Sequence, residues 1–276
     1  MPSPSVKHLS VDAGSAVELV QLTDTHLKAR GGGTLLGMDT DSSLKTVLAR
    51  IRRDHPAAHA LLATGDLADD GAAGAYARLQ EYLDALTPDH FWLPGNHDVR
   101  SAMVAAAGEE RLPGELRAGR WQVLLLDSQI PGRVGGALGA EELTRLADAL
   151  RRARAEDLFT LVCLHHQPVP VGCDWLDEQR VADADELFAL LEGFPRARAL
   201  IWGHVHQALD SYRGALRLLC TPSTCVQFEP GQPSFSVDDA APGFRWLKLH
   251  PDGRLDTGIT RVSVSLPVHL DSNGYP

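Results

Sequence analysis

The sequence predicts an α/β fold in which two β-sheets pack on each other with helices outside, and three observations carry that expectation. Short apolar runs alternate with segments whose apolar residues recur at helical spacing, the pattern of parallel strands joined by crossover helices. Several of those runs stop at a turn followed by Asp, Asn or His, which places chemistry at the C-terminal ends of the strands. The last third changes character. Leu216–Cys220 and residues 244–249 and 258–262 are short β-type runs separated by Pro, Gly and Asp, the material of a second, more antiparallel sheet.

In chain order, residues 1–14 read as a flexible lead; no charged segment there precedes an apolar stretch of about 7–15 residues, so a signal peptide is not expected. Val17–Leu22 alternates apolar and polar residues, a strand ending at Thr23-Asp24-Thr25-His26. Asp24 and His26 stand at i and i+2, which in extended chain puts both on one face, where they can grip one ion. Gly31-Gly32-Gly33 lacks the Gly-Lys-Ser/Thr ending of a phosphate loop and reads as a mobile rim. Asp41 and Ser42 then cap a helix carrying Leu44, Val47, Leu48 and Ile51, which ends before Pro56.

The chain pivots on Leu61-Leu62-Ala63-Thr64-Gly65-Asp66, a buried strand that turns sharply into a carboxylate. Tyr76, Leu79, Tyr82, Leu83 and Leu86 mark a second helix, and Phe91-Trp92-Leu93 is a strand broken by Pro94-Gly95 and followed by Asn96-His97-Asp98. A strand at 121–126 and a helix through Leu143, Leu146 and Leu150 precede a strand at 159–164 that ends in His165-His166-Gln167. A short helix around Leu187, Leu190 and Leu191 leads to a strand at 199–202 and to Gly203-His204-Val205-His206. Residues 263–276 are polar and turn-rich, a loose tail or a lid, leaving one domain over 15–262.

With 276 residues, 44% hydrophobic and 22% charged, the chain can bury one large core, and nothing in its middle resembles a linker. A net charge of -10 argues against a nucleic-acid groove, so an anionic substrate needs a local positive centre. Cys163, Cys173, Cys220 and Cys225 form no C-x-x-C pair, and Cys163 and Cys220 lie in apolar runs where a thiol acts as a small hydrophobe; a reducing, cytoplasmic setting is expected. No run approaches the roughly 20 apolar residues of a membrane span. Neither a nucleic-acid polymer nor a membrane is an expected partner, and an oligomer is compatible with the sequence.

Collected, the strand ends supply Asp24, His26, Asp66, Asn96, His165, His204 and His206, a mixed oxygen and imidazole set too large for one ion. Two ions about 3.5–4 Å apart, bridged by one carboxylate, would use all of them, and Asp66 is the expected bridge. Two of these ligands are anionic, so two divalent ions leave a formal charge of 4 − 2 = +2. Such a centre attracts a phosphate ester even on an acidic chain, and it acidifies bound water.

Asp24-x-His26, Gly65-Asp66-x-x-Asp69, Gly95-Asn96-His97-Asp98, His165 and Gly203-His204-x-His206 resemble, in order and spacing, the five blocks of the calcineurin-like metallophosphoesterases. Within that superfamily, Thr23-Asp24-Thr25-His26-Leu27 and residues 124–129, 170–177 and 221–228 make the chain similar to the bacterial class III cyclic-AMP phosphodiesterases. Gln167 departs from the pattern, where histidine often follows the His165-His166 pair.

The resemblance implies a metallophosphoesterase-type sandwich with Asp24, His26, Asp66 and His206 on one metal and Asp66, Asn96, His165 and His204 on the other. Iron and manganese are the implied pair, with zinc as an alternative. It also implies that a bridging hydroxide opens 3',5'-cyclic AMP to 5'-AMP, with Asn96, His97 and His26 at the substrate and His97 acting on the leaving oxygen as a histidine beside a metal-bound amide can. Asp69 and Asp98 would orient imidazoles or amides, and Trp175 and Phe228 are candidates to stack the purine. A broad phosphodiesterase or phosphomonoesterase of the same fold is the competing expectation, because identical ligands serve many phosphate esters. A non-catalytic scaffold is disfavoured by the presence of Asp66, Asn96 and His97.

Overall fold

The computed structural model describes residues 5–87 and 89–275. Strand β1 (Val6–Leu9) precedes β2 (Val17–Leu22) and a small hairpin of β3 (Thr34–Leu35) and β4 (Met38–Asp39), whose turn puts Leu36 and Gly37 at φ 47° and 88°. Helix α1 (Thr40–Asp54) is capped two residues before Asp41, the earlier of the two caps that the sequence suggests. Asp39 accepts the Ser42 amide at 2.9 Å, whereas Asp41 is buried and receives Arg78 Nε at 3.1 Å and the Tyr82 hydroxyl at 2.9 Å. Then come β5 (Ala60–Thr64), α2 (Ala73–Asp84), β6 (His90–Leu93), α3 (Arg100–Ala107), β7 (Glu115–Ala118), β8 (Trp121–Leu125), α4 (Gly139–Ala155) and β9 (Phe159–Cys163). The chain continues through α5 (Asp174–Asp177), α6 (Ala184–Glu192), β10 (Ala197–Trp202), β11 (Leu209–Arg213), β12 (Leu216–Cys220), β13 (Gln227–Phe228), β14 (Val237–Asp238), β15 (Gly243–Leu249) and β16 (Leu255–Arg261).

Two sheets organise these elements. One has seven strands in the order β1-β7-β8-β9-β10-β12-β11, with β8, β9, β10 and β12 mutually parallel; the other has five in the order β16-β15-β2-β5-β6, with β2, β5 and β6 parallel. The late β-type runs therefore do not form a sheet of their own. β12 joins β10 in parallel in the seven-stranded sheet, while in the five-stranded one β15 pairs antiparallel with β2 and β16 antiparallel with β15. Residues 6–9, read from the sequence as part of a flexible lead, pair with β7 at the edge of the larger sheet. Residues 1–4 of that segment, and Pro276 of the tail, lie outside the described residues.

The layering follows from strands that are apolar on both faces. Leu19, Leu62, Phe91 and Leu93 of the smaller sheet meet Trp121, Val123, Leu161 and Ile201 of the larger one in a core between the sheets. Val20, Leu22, Leu61 and Trp92 point the other way, against Leu44, Val47, Ile51, Leu79 and Leu83 of α1 and α2. Leu124, Val162, Leu200 and Trp202 pack likewise on Leu146, Leu150, Leu187 and Leu191 of α4 and α6. The result is helix, sheet, sheet, helix.

Arg245 of β15 is a cation in the seam between the sheets, 1% exposed. Its Nη2 donates to the Leu209 and Cys220 carbonyls at 3.1 and 2.8 Å, and its Nε and Nη1 to the Thr221 and Thr257 hydroxyls at 3.2 Å each. Burial draws its pKa down to about 10, so it stays charged at neutral pH. Arg245→Ala would orphan those acceptors and leave a cavity, with an expected loss of roughly 2–5 kcal/mol. Urea denaturation measures it, with Lys248→Ala on the exposed side of the same strand as the comparison, expected within about 0.5 kcal/mol of the parent. Equal effects of the two would refute the role given to Arg245.

Candidate metal centre

Five parallel strands, β2, β5 and β6 of one sheet and β9 and β10 of the other, deliver the polar residues to one edge of the sandwich. Immediately after them the backbone bends sharply. Asp24, His26, Asp66, His204 and His206 have φ of 54°, 42°, 50°, 63° and 50°, in the left-handed region that side chains other than glycine seldom occupy. Such strain persists only where the surroundings over-determine it, and it concentrates at functional sites. Here the turns hold one another: the Asp24 and His26 amides donate to the Gly65 and Asp66 carbonyls at 2.9 Å each, and the Gly203 amide to the His165 carbonyl at 3.1 Å. Gly65 (φ 93°) and Gly95 allow this close approach, since a Cβ would run into the His165 ring at the first and into the Asp66 carboxylate at the second.

Each histidine presents one nitrogen outward to a fixed partner and the other inward. His165 Nδ1 meets the Thr64 carbonyl at 2.9 Å, His206 Nδ1 the Val226 carbonyl at 2.8 Å, His204 Nε2 the Gln179 side-chain oxygen at 3.0 Å, and His26 Nδ1 lies 3.4 Å from Asp69. Inward, His26 Nε2 and His206 Nε2 face each other at 3.2 Å, and His165 Nε2 lies 3.2 Å from Asp66 Oδ2 and 3.3 Å from Asn96 Oδ1. Asp24 Oδ1 is 3.4 Å from His206 Nε2 and 4.0 Å from His165 Nε2. All seven residues named from the sequence thus converge. Imidazoles anchored on one side and turned toward buried carboxylates on the other are the donor chemistry of a metal centre, and a set this large fits two ions.

The electrostatics point the same way. Burial raises the pKa of the Asp66 carboxyl, but His165, His97 and His26 outweigh it and hold the group well below the usual carboxylate range. His165 is opposite: burial lowers it, yet Asp66 and then Asp24 carry it up to about 9. His204 is driven well below the ordinary imidazole value by burial and by His166 and His165. Two carboxylates among crowded imidazoles therefore need a cation, and a proton on His165 serves where metal is absent.

His97 is partly exposed at the rim. Its amide donates to Asp66 Oδ1 at 2.9 Å, its Nδ1 meets the Asp69 carbonyl at 2.8 Å, and its ring stands edge-on to His26 at 4.9 Å. Asp69 pairs its other oxygen with Lys28 Nζ at 2.5 Å; despite burial, His26 and Lys28 bring its pKa down to about 2. Asp98 touches backbone amides rather than imidazoles. It accepts from Leu67 and Ala68 at 3.1 and 3.0 Å, from Gly95 at 2.9 Å and from the Tyr76 hydroxyl at 2.9 Å, tying the Asp66 turn to the Asn96 turn. Burial and the Asp66 charge raise its pKa to about 6.

Sequence reasoning missed several supports. Gln129 Nε2 donates to the Gly95 and Asp98 carbonyls at 2.6 Å each, bracketing the Asn96-His97 turn, and Gln179 orients His204. Neither glutamine carries a spacing signal of its own. His166, adjacent to His165, is occupied on both nitrogens by Ser128 at 2.8 Å and the Val134 carbonyl at 3.0 Å. Phe228 is 3% exposed and stacks on His206 at 4.4 Å, with Trp175 and Phe235 at its edges, so it backs an imidazole where a purine platform was expected. Tyr275, from the tail, reaches His26 at 2.9 Å.

Comparison with known proteins places this geometry. Residues 18–208 match the family model of calcineurin-like phosphoesterases. The chain is 47% identical over 274 residues to the 3',5'-cyclic adenosine monophosphate phosphodiesterase CpdA of Pseudomonas aeruginosa, covering 98% of this chain and 99% of that protein. It is 42% identical over 255 residues to the protein of the same name from Escherichia coli (strain K12), covering 91% and 92% respectively. Among solved structures, a dimetal phosphatase from Danio rerio superposes with a TM-score of 0.63 over 90% of this chain and 100% of that one; at 14% identity the likeness is one of fold. With its site at the strand ends of a two-sheet sandwich, the chain belongs to the calcineurin-like phosphoesterase family.

Proposed function

We propose that the protein is a metal-dependent phosphodiesterase that hydrolyses 3',5'-cyclic AMP to 5'-AMP. The observation that carries this reading is the likeness, over 98% of the chain, to a relative named for that activity, which extends well beyond the histidine and aspartate set. No helix among the described residues is long and apolar enough to cross a membrane. A cytoplasmic location belongs to the proposal and is supported by four free, buried cysteines.

One ion is assigned to Asp24, His26, Asp66 and His206, and the other to Asp66, Asn96, His165 and His204. The sharing of Asp66 is supported by its two oxygens: Oδ1 is held by the His97 amide, while Oδ2 lies 3.2 Å from His165 Nε2 and 3.8 Å from His26 Nε2, between the two groups. Iron and manganese are assigned, with zinc the alternative, since imidazole and carboxylate suit all of them. When bound, such a pair supplies Lewis acidity toward the phosphate and water that ionises near neutral pH.

The chain's own groups do the rest. His26, Asn96 and His97 face the phosphate. Because His97 Nδ1 is engaged by the Asp69 carbonyl, Nε2 is the atom left to deliver a proton to the 3' oxygen as its bond to phosphorus breaks. Asp98 and Gln129 keep the turn that carries Asn96 and His97 in register with Asp66.

Three expectations follow from these roles. Incubation with 3',5'-cyclic AMP and manganese should yield 5'-AMP and no 3'-AMP on chromatography; 3'-AMP would overturn the leaving group, and turnover of an aryl diester without cyclic AMP would leave a broad phosphodiesterase. Elemental analysis of reconstituted, desalted variants should show both ions lost in Asp66→Ala but chiefly one in Asp24→Ala. Single-ion losses in both would remove the shared role of Asp66. His97→Ala should keep its metal yet lose roughly 10²–10⁴-fold in rate. A nitrophenolate leaving group, which needs no proton, should partly restore it, whereas metal loss parallel to activity would make His97 a ligand.

A further inference from the structure

After β16 the chain crosses the molecule and returns to the metal centre. Val264, Leu266 and Val268 pack on the core beside the larger sheet, and the His269 amide donates to the Leu36 carbonyl at 2.8 Å, fastening the tail to the tip of the β3–β4 hairpin. The His269 ring lies against that tip, where a Cβ on Gly37 would come within 2.7 Å of it. Beyond this anchor the hold is slight: Leu270 is 51% exposed, and the Ser272 amide reaches the His269 carbonyl at 3.3 Å.

Tyr275 then turns inward. Its hydroxyl lies 2.9 Å from His26 Nδ1 and 3.4 Å from Nε2, and its ring centroid stands 5.8 Å from that of His26, 5.3 Å from His97 and 6.1 Å from Phe228. His26 and His97 are the side chains assigned above to the phosphate. The shorter contact is to the nitrogen of His26 turned toward Asp69, and the longer one to the nitrogen turned inward.

We propose that Tyr275 is an internal occupant of the subsite for the alcohol portion of the substrate, and that the segment after His269 must withdraw before a phosphodiester can enter. This rests on the reading of the site as a phosphodiesterase. A phenol ring against both phosphate-contacting histidines fills the volume that a ribose or an aryl group would need. The tail and the substrate are therefore mutually exclusive, and the tail acts as a tethered competitor. Its firm attachment at Leu36 and His269 keeps the local concentration of the tyrosine high, while the exposed stretch after Leu270 gives it room to swing. Only the fraction of molecules with the tail withdrawn binds substrate, which raises the apparent KM by the reciprocal of that fraction.

Tyr275→Ala and a chain ending at Leu270 should each lower KM for 3',5'-cyclic AMP by roughly 3–30-fold without a fall in kcat. Tyr275→Phe, which keeps the ring and loses the hydroxyl, should lie between them and the parent. Bis(p-nitrophenyl) phosphate, a diester without a nucleotide, should respond in the same direction because its aryl groups need the same space. Hydrogen exchange of residues 271–275 in the metal-loaded full chain should speed up when 5'-AMP is added. An unchanged or higher KM in Tyr275→Ala and the shortened chain, or slower exchange on adding 5'-AMP, would overturn the proposal and make the tail a clamp or a bystander. If no form turns over cyclic AMP while the aryl diester still shows the KM decrease, the nucleotide assignment fails and the internal occupant stands.

Discussion

Two carboxylates buried without a lysine or arginine beside them are the constraint to which the rest of this molecule answers. Asp24 and Asp66 are 0% and 2% exposed, and their ion pairs among the described residues are with histidines. Burying charge is expensive unless it is compensated at close range. Imidazoles compensate only by taking up protons, and when several crowd together burial and mutual repulsion limit how many can do so, as the opposite displacements of His165 and His204 show. A pair of cations resolves the conflict without protons, which is why this donor set fits metal better than it fits itself.

Holding such a cluster requires backbone that would not adopt its shape alone. Five donor-bearing residues sit at positive φ, and each lies within a few residues of a strand that is buried on both faces. The strands are the rigid part, and the turns are stitched to one another by amide-to-carbonyl bonds and by Asp98, whose carboxylate gathers amides from two different turns. The strain is thus carried by the sandwich, whose inter-sheet core of Leu, Val, Phe and Trp leaves the strand ends little freedom to relax.

Orientation, more than proximity, separates donors from bystanders. His166 lies as close to His204 as a donor would, at 4.8 Å between rings, yet Ser128 and the Val134 carbonyl occupy both of its nitrogens. His165, His204 and His206 each spend one nitrogen on an oxygen acceptor and keep the other for the centre. Phe228 stacked on His206 adds a wall that keeps that ring from turning. Outer acceptors of this kind fix the orientation of a ring and favour a proton on its outer nitrogen, so that the inward nitrogen can offer a lone pair to a cation that displaces any proton it carries.

From the sequence alone came the strands of both sheets that reach the site, the helices that cover them, and the seven Asp, Asn and His residues that meet at the strand ends. These signals are local: apolar periodicity marks a buried element, and the residue following its last turn is read directly. What it did not reveal depends on contacts between distant segments. Residues 6–9 and 115–118 look unremarkable singly and become strands by pairing with each other; Leu216–Cys220 and residues 244–249 read as strands but carry no mark of which sheet they enter. Gln129, Gln179 and Tyr275 act through bonds spanning 34, 25 and 249 residues. Periodicity reports which face of a segment is buried, whereas the partner of that face, and the nitrogen an imidazole turns inward, are decided only when the whole chain has closed around them.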